Sequence, residues 1–227
     1  MKRRSLLLAG AAGPALVACG PPVVQIFETR SEIDQSIQRC TWRPPTQNGG
    51  GLVISLPTWG GSHAQADPLL AICAAKGWAY LRPNVRAPNR TPQACLSPWV
   101  INDLELACAT ADRLGGPFTR RVLVGESGGG YAALGAYLHA RIDIARFIVW
   151  NPITDLPDWL AQVQSRYPKI AQDILDCTSS TSTALDHRAL RERSPLTQLP
   201  GSADRSKATL EIYAGIHDGY SGTAPIT

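Results

Sequence analysis

Ser127 stands between glycines in the stretch VLVGESGGGYAAL, Val122–Leu134, where an apolar run ends and a helical pattern begins. A bare G-x-S-x-G says little, because glycine and serine are common in loops and a glycine turn explains it equally well. Here it follows RRVLV and opens GGYAALGAYLHA, the strand-turn-helix context that lifts a serine hydroxyl above a sheet as a nucleophile. The glycines permit the strained turn and let two elements pass closely. A serine that attacks a carbonyl also needs backbone N–H groups aimed at the developing oxyanion. One donor is expected from Gly128, at the start of the following helix, where orphan N–H groups and the helix dipole favour negative charge. The other is expected from the loop PTWGGSH, through the backbone of Trp59 or Gly60. His63 in that loop reads as a helix-start or pocket-wall residue rather than a base.

These residues need a scaffold, and the chain alternates in a way that supplies one. GLVISLP, WAYLRP, RRVLVG, RFIVWN and TLEIYAG are short apolar runs of strand length, not strictly alternating, as suits strands covered on both faces. Between them, Val100, Leu104, Ala107, Ala111 and Leu114 recur at helical steps with Gly115 placed to stop the helix, and a second helix is expected over 64–76, closed by Gly77. Strand and helix in alternation predict a mostly parallel α/β sheet with right-handed crossovers and helices on both faces. Ile153–Lys207 is too long for a plain crossover and reads as a mostly helical lid over the carboxyl edge of the sheet. Residues 20–50, with their proline and glycine clusters and little periodicity, read as a tether and lead-in. With 227 residues, 44% of them hydrophobic, one domain is the expectation.

The first residues have a different character. Lys2, Arg3 and Arg4 precede an apolar stretch ending in LVAC, the order of a secretory signal. LVAC looks like a bacterial lipobox, which makes Cys19 the lipidated first residue of the mature protein, and RRSLLL has some twin-arginine character. The expected location is the bacterial cell envelope, lipid-anchored to a membrane on its periplasmic or cell-surface side. Removal of residues 1–18 takes away those three positive charges, so the formal balance falls from +4 to +1 and no nucleic-acid partner is implied. The five later cysteines, at 40, 73, 95, 108 and 177, show no C-x-x-C and no paired Cys/His spacing, which argues against a metal site. Export permits disulfides, and an odd number leaves at least one thiol free or paired elsewhere. Cys73 and Cys108 fall on apolar helix faces and read as buried thiols.

Taken in order, SLPTWGGSHAQ, LRPNVRAPNRTPQAC, NDLELACATADRL, VLVGESGGGYAAL, WNPITDLPDWL, RSPLTQL and IYAGIHDGYSGTAPIT resemble bacterial exported α/β-hydrolases related to the prolyl oligopeptidase catalytic domain. The resemblance spans Gly51–Thr227 and implies the α/β-hydrolase fold and Ser-His-Asp chemistry without a cofactor. The substrate class it implies is a small-molecule ester, a polysaccharide-linked ester or a peptide. The domain plan is then a signal peptide over 1–18, a lipid-anchored tether and lead-in over 19–50, and the hydrolase domain over 51–227. Asp218, just after TLEIYAG, looks like the acid-bearing loop of that family; Asp155, one strand earlier, is the competing acid.

The base is the difficulty. His139 ends the helix after the nucleophile and points away from it, His187 lies on a solvated stretch of the lid, and His217 adjoins Asp218 too closely to pair with it readily. In the order Ser, Asp, His the base follows the acid after one more strand. The sequence therefore leads to the expectation of a serine hydrolase lacking its last strand and helix, poorly soluble and nearly inactive as a fragment. Two alternatives stay open: a catalytically dead binding protein that keeps the fold, and an active hydrolase that uses His217 with Asp155.

Overall fold

The computed structural model describes residues 23–46, 50–199 and 208–215. Seven strands form one sheet: β1 (Gln25–Arg30), β2 (Ile37–Arg43), β3 (Leu52–Leu56), β4 (Ala79–Pro83), β5 (Arg121–Glu126), β6 (Arg146–Trp150) and β7 (Thr209–Tyr213). Their order is β1-β2-β4-β3-β5-β6-β7. β1 pairs with β2, and β2 with β4, antiparallel; every pairing from β4 to β7 is parallel. All five residues of β3 and of β4 are buried, as parallel strands covered on both faces must be.

Three helices make the first crossovers: α1 (Pro68–Lys76), α2 (Pro98–Gly115) and α3 (Gly128–His139). α1 covers one face, where Cys73 packs with Val53, Tyr80 and Val124. α2 and α3 cover the other, setting Leu104, Ala107, Ala111, Ala133 and Leu134 against Leu52, Ile54, Leu81 and Leu123. Each leucine or isoleucine among them contributes about 1.5–3 kcal/mol on full burial.

The helix ends differ from the sequence expectation for local reasons. α1 starts at Pro68 rather than at residue 64: the Asp67 carboxylate accepts the Leu69 N–H at 2.9 Å, and proline, lacking an N–H, suits the first turn. Its far end is closed by Gly77 at φ 70°. α2 continues through Gly115 to a cap at Gly116, and Leu114 is 50% exposed, off the buried stripe formed by its four partners.

The segment expected to be only a tether and lead-in carries β1 and β2. Cys40 and Trp42 face the core, but Ile26 and Ile37 face solvent while Thr29 and Gln38 are buried, so residue type does not track the alternation.

Between β6 and β7 lie α4 (Leu156–Val163), α5 (Pro168–Cys177), α6 (His187–Glu192) and α7 (Pro195–Gln198). Leu156, Trp159, Leu160, Val163, Ile174 and Leu190 pack with Trp59, Leu96 and Tyr131, which sit at the carboxyl edge of the sheet, so this helical insertion caps that edge. A disulfide joins Cys95, in the loop before α2, to Cys177 at the end of α5. Cys40, Cys73 and Cys108 are free and buried. Among the described residues no helix is long and apolar enough to cross a membrane, and no cluster of three or more His, Cys, Asp or Glu could hold a metal ion.

Candidate active site

Ser127 is the hinge between β5 and α3, at φ 54° and ψ −120°. Non-glycine residues rarely adopt such a conformation; it costs on the order of 1–3 kcal/mol and persists only where the surroundings enforce it. Here they do. The Ser127 N–H donates to the Trp150 carbonyl at 3.0 Å, and the Ser127 carbonyl accepts from the Tyr131 N–H at 2.9 Å. A side chain on Gly125 would collide with the Gly129 carbonyl, so the two outer glycines of the motif face each other across the turn.

Gly128 serves a different contact. A Cβ there would overlap the backbone nitrogen of Trp59, which places the Trp59 peptide against the first turn of α3. That turn's N–H groups have no intrahelical acceptors and sit at the positive end of the helix dipole. The Thr58 carbonyl accepts the Gly61 N–H at 2.9 Å, and in a planar trans peptide the Trp59 N–H must then point the opposite way. The Trp59 peptide nitrogen thus lies against the residue that follows Ser127. Gly60 is exposed, and nothing lies within 4 Å of where its Cβ would be; within this loop it is Trp59 that reaches Gly128.

The loop after β3 is anchored from below by polar groups that the motifs did not announce. The Gln65 side-chain oxygen accepts from the Thr58 N–H at 3.1 Å and from its hydroxyl at 3.2 Å. Arg82 donates to the Gln65 carbonyl at 2.6 Å and pairs with Asp67 at 2.9 Å, both charged side chains being 6% exposed. Ser55 and Tyr80 donate to the same carboxylate at 2.6 and 2.7 Å. Burial raises the pKa of Asp67, but the hydrogen bonds from Ser55, Tyr80 and the Leu69 N–H, with the charge of Arg82, outweigh it and hold the carboxyl below its ordinary value. From above, the Trp59 ring meets Trp159 of α4 edge-on at 4.9 Å and Tyr131 at 5.7 Å.

None of the three described histidines approaches Ser127. His139 ends α3, a helix of 12 residues, about 18 Å along the axis from the serine. The exposed His187 opens α6 in the lid. The His63 carbonyl accepts from Thr41 on β2 at 2.8 Å, which places it beside a strand three sheet positions, about 14 Å, from β5. It does not start α1, and its Nδ1 is buried without a hydrogen-bond partner.

Asp155 caps α4, its carboxylate accepting the Asp158 N–H at 3.3 Å, so it already has a local structural task. His217, Asp218 and Cys19 lie outside the described residues. The chain leading to the first two leaves β7 with the Gly215 N–H on the Asn151 side chain at 2.7 Å, one residue beyond the Trp150 that receives Ser127.

Solved structures share this fold. Prolyl oligopeptidase B from Galerina marginata superposes with a TM-score of 0.62 at 15% identity, over 87% of this chain and 29% of that one. A fluorophosphonate-binding serine hydrolase, FphF, from Staphylococcus aureus gives 0.64 at 13% identity, over 88% of this chain and 82% of that one. The chain has the α/β-hydrolase fold. A Mycobacterium tuberculosis puromycin-hydrolyzing peptidase shares it too, with a TM-score of 0.64 at 17% identity, over 92% of this chain and 32% of that one. The chain thus spans less than a third of the two peptidases. No protein-family model and no curated protein matches the sequence. Ser127 follows β5 and Trp59 follows β3 in this fold.

Proposed function

We propose that this chain is a serine hydrolase that cleaves a carboxylic-ester or peptide bond through a covalent acyl-enzyme. Ser127 Oγ attacks the carbonyl carbon, the carbonyl oxygen takes up the negative charge between the N–H groups of Trp59 and Gly128, and the leaving group departs with a proton. Water then repeats the attack on the acyl group and restores the serine. The observation that carries this reading is the strained Ser127 turn, with the Trp59 peptide packed against Gly128. Asp218 is the acid of this account, and the base comes from outside His63, His139 and His187. Candidate substrates are small-molecule esters, polysaccharide-linked esters and peptides.

The experiment is turnover by protein expressed from its complete open reading frame, comparing p-nitrophenyl acetate with prolyl and alanyl peptide anilides. Activity on either class, lost in Ser127→Ala, supports the reading, and the preferred class separates esterase from peptidase. A second reading, a binding protein that keeps the fold, is favoured by the distance of the described histidines from Ser127. It predicts no difference between wild type and Ser127→Ala on any of these substrates.

The mature protein is exported and tethered to an envelope membrane by lipid on Cys19. Support comes from the basic start, the apolar run and LVAC. Incorporation of a palmitate analogue should vanish in Cys19→Ala; equal incorporation refutes the tether.

A further inference from the structure

The loop between β4 and α2, residues 84–97, is strained near both ends: Val85 and Arg86, then Cys95 and Leu96, have positive φ, at 41°, 66°, 51° and 57°. Such backbone is held only by contacts that over-determine it, and those contacts run in two directions. Toward the oxyanion loop, Asn89 donates twice to the Trp59 carbonyl, from its backbone N–H at 3.1 Å and from Nδ2 at 3.3 Å. Toward the lid, the Asn89 side-chain oxygen accepts the N–H of Cys95, at 3.1 Å, and Cys95 is disulfide-bonded to Cys177 of α5. Arg193, just beyond α6, adds two bonds to the same loop, to the carbonyls of Ala94 at 3.1 Å and Pro92 at 2.8 Å.

We infer that Asn89 is a positioning residue for the oxyanion hole, fixing the Trp59 peptide while the Cys95–Cys177 disulfide fixes Asn89 to the lid. The Thr58 carbonyl, held by Gly61, sets the direction of the Trp59 N–H, and Asn89 holds the next carbonyl, so the peptides on both sides of the Trp59 α-carbon are fixed and the turn that carries that N–H keeps its place. Without the Asn89 side chain the Trp59 carbonyl keeps the backbone N–H of residue 89 but loses Nδ2, and residue 89 loses its hold on Cys95, so the turn that presents the Trp59 N–H beside Gly128 gains freedom. A misplacement of about 1 Å in a catalytic group is enough to lose on the order of a hundredfold in rate. The catalytic part of this inference rests on the Ser127 hydrolase reading; the structural part does not.

The test uses the protein from its complete reading frame and two readouts. Hydrogen exchange of the segment 57–63 should speed up by about tenfold in Asn89→Ala, in a Ser127→Ala background as well, because the loop opens more easily without its clamp. The rate of fluorophosphonate labelling at Ser127 should fall by about a hundredfold, and p-nitrophenyl acetate turnover should lose kcat with KM unchanged. Asn89→Asp, which keeps the acceptor for Cys95 but sets a carboxylate against the Trp59 carbonyl, covers the case in which Asn89→Ala fails to fold, and should show the same losses. Exchange unchanged in both variants overturns the positioning role. Wild-type labelling with variants within about threefold of it overturns the catalytic consequence alone. A wild type that takes no label at Ser127 removes the hydrolase reading and that consequence together, while the exchange comparison still decides whether Asn89 holds the loop.

Discussion

The backbone nitrogen of Trp59 lies where a side chain on Gly128 would have to go. This contact brings the loop after β3 onto the first turn of α3 and sets the width of the space in which an oxyanion could sit. Gly128→Ala must push Trp59 away, so labelling of Ser127 by a fluorophosphonate should slow by about a hundredfold, the scale seen on losing one oxyanion donor. Labelling rates of the two proteins at equal probe concentration check this. A Gly128→Ala protein as reactive as wild type means that Trp59 does not donate to the oxyanion.

The polar cluster under the loop after β3 should govern acid stability. Asp67 has a lowered pKa in the folded chain, so its contribution is present above its unfolded value, ordinarily 3.8, and is lost as pH falls through the lower folded value. Asp67→Ala leaves Arg82 buried and unpaired, a loss of about 3–5 kcal/mol near neutrality. Urea unfolding midpoints of wild type and Asp67→Asn, followed from pH 7 downward, should converge below the ordinary aspartate range. A gap that persists unchanged to the lowest pH contradicts the assignment.

The two candidate acids separate by what each mutation damages. Asp155→Ala removes the cap of α4 and should lower stability by about 1 kcal/mol while leaving the Ser127 labelling rate within about threefold of wild type. Asp218→Ala should slow labelling by about four powers of ten, because the imidazole loses its orientation and tautomer. Paired measurements of melting temperature and labelling rate decide it; the reverse pattern makes Asp155 the acid.

Much of this architecture can be read from residue order alone, because the central strands are continuous apolar runs and the nucleophile turn is set by glycine spacing. β3 to β7 and α2 follow from period and punctuation. β1 and β2 do not, since Gln38 is buried where an apolar residue would be expected and Ile37 is exposed where a polar one would. That Trp59 and Gly128 meet beside the Ser127 turn is legible from motif and position. Gln65, Arg82 and Asn89 are not, because their roles consist of hydrogen bonds to backbone atoms distant in sequence, which no spacing records. Asp67 leaves one local trace, the Asp-Pro pair that opens α1, and this betrays its capping bond but not its ion pair.

The central claim is that Ser127 is an activated nucleophile. Protein from the complete open reading frame, treated with an alkyl fluorophosphonate and digested, should yield one phosphonylated peptide with the adduct on Ser127, and Ser127→Ala should yield none. A folded wild type that stays unmodified at Ser127 under conditions that label known serine hydrolases to completion would contradict the account.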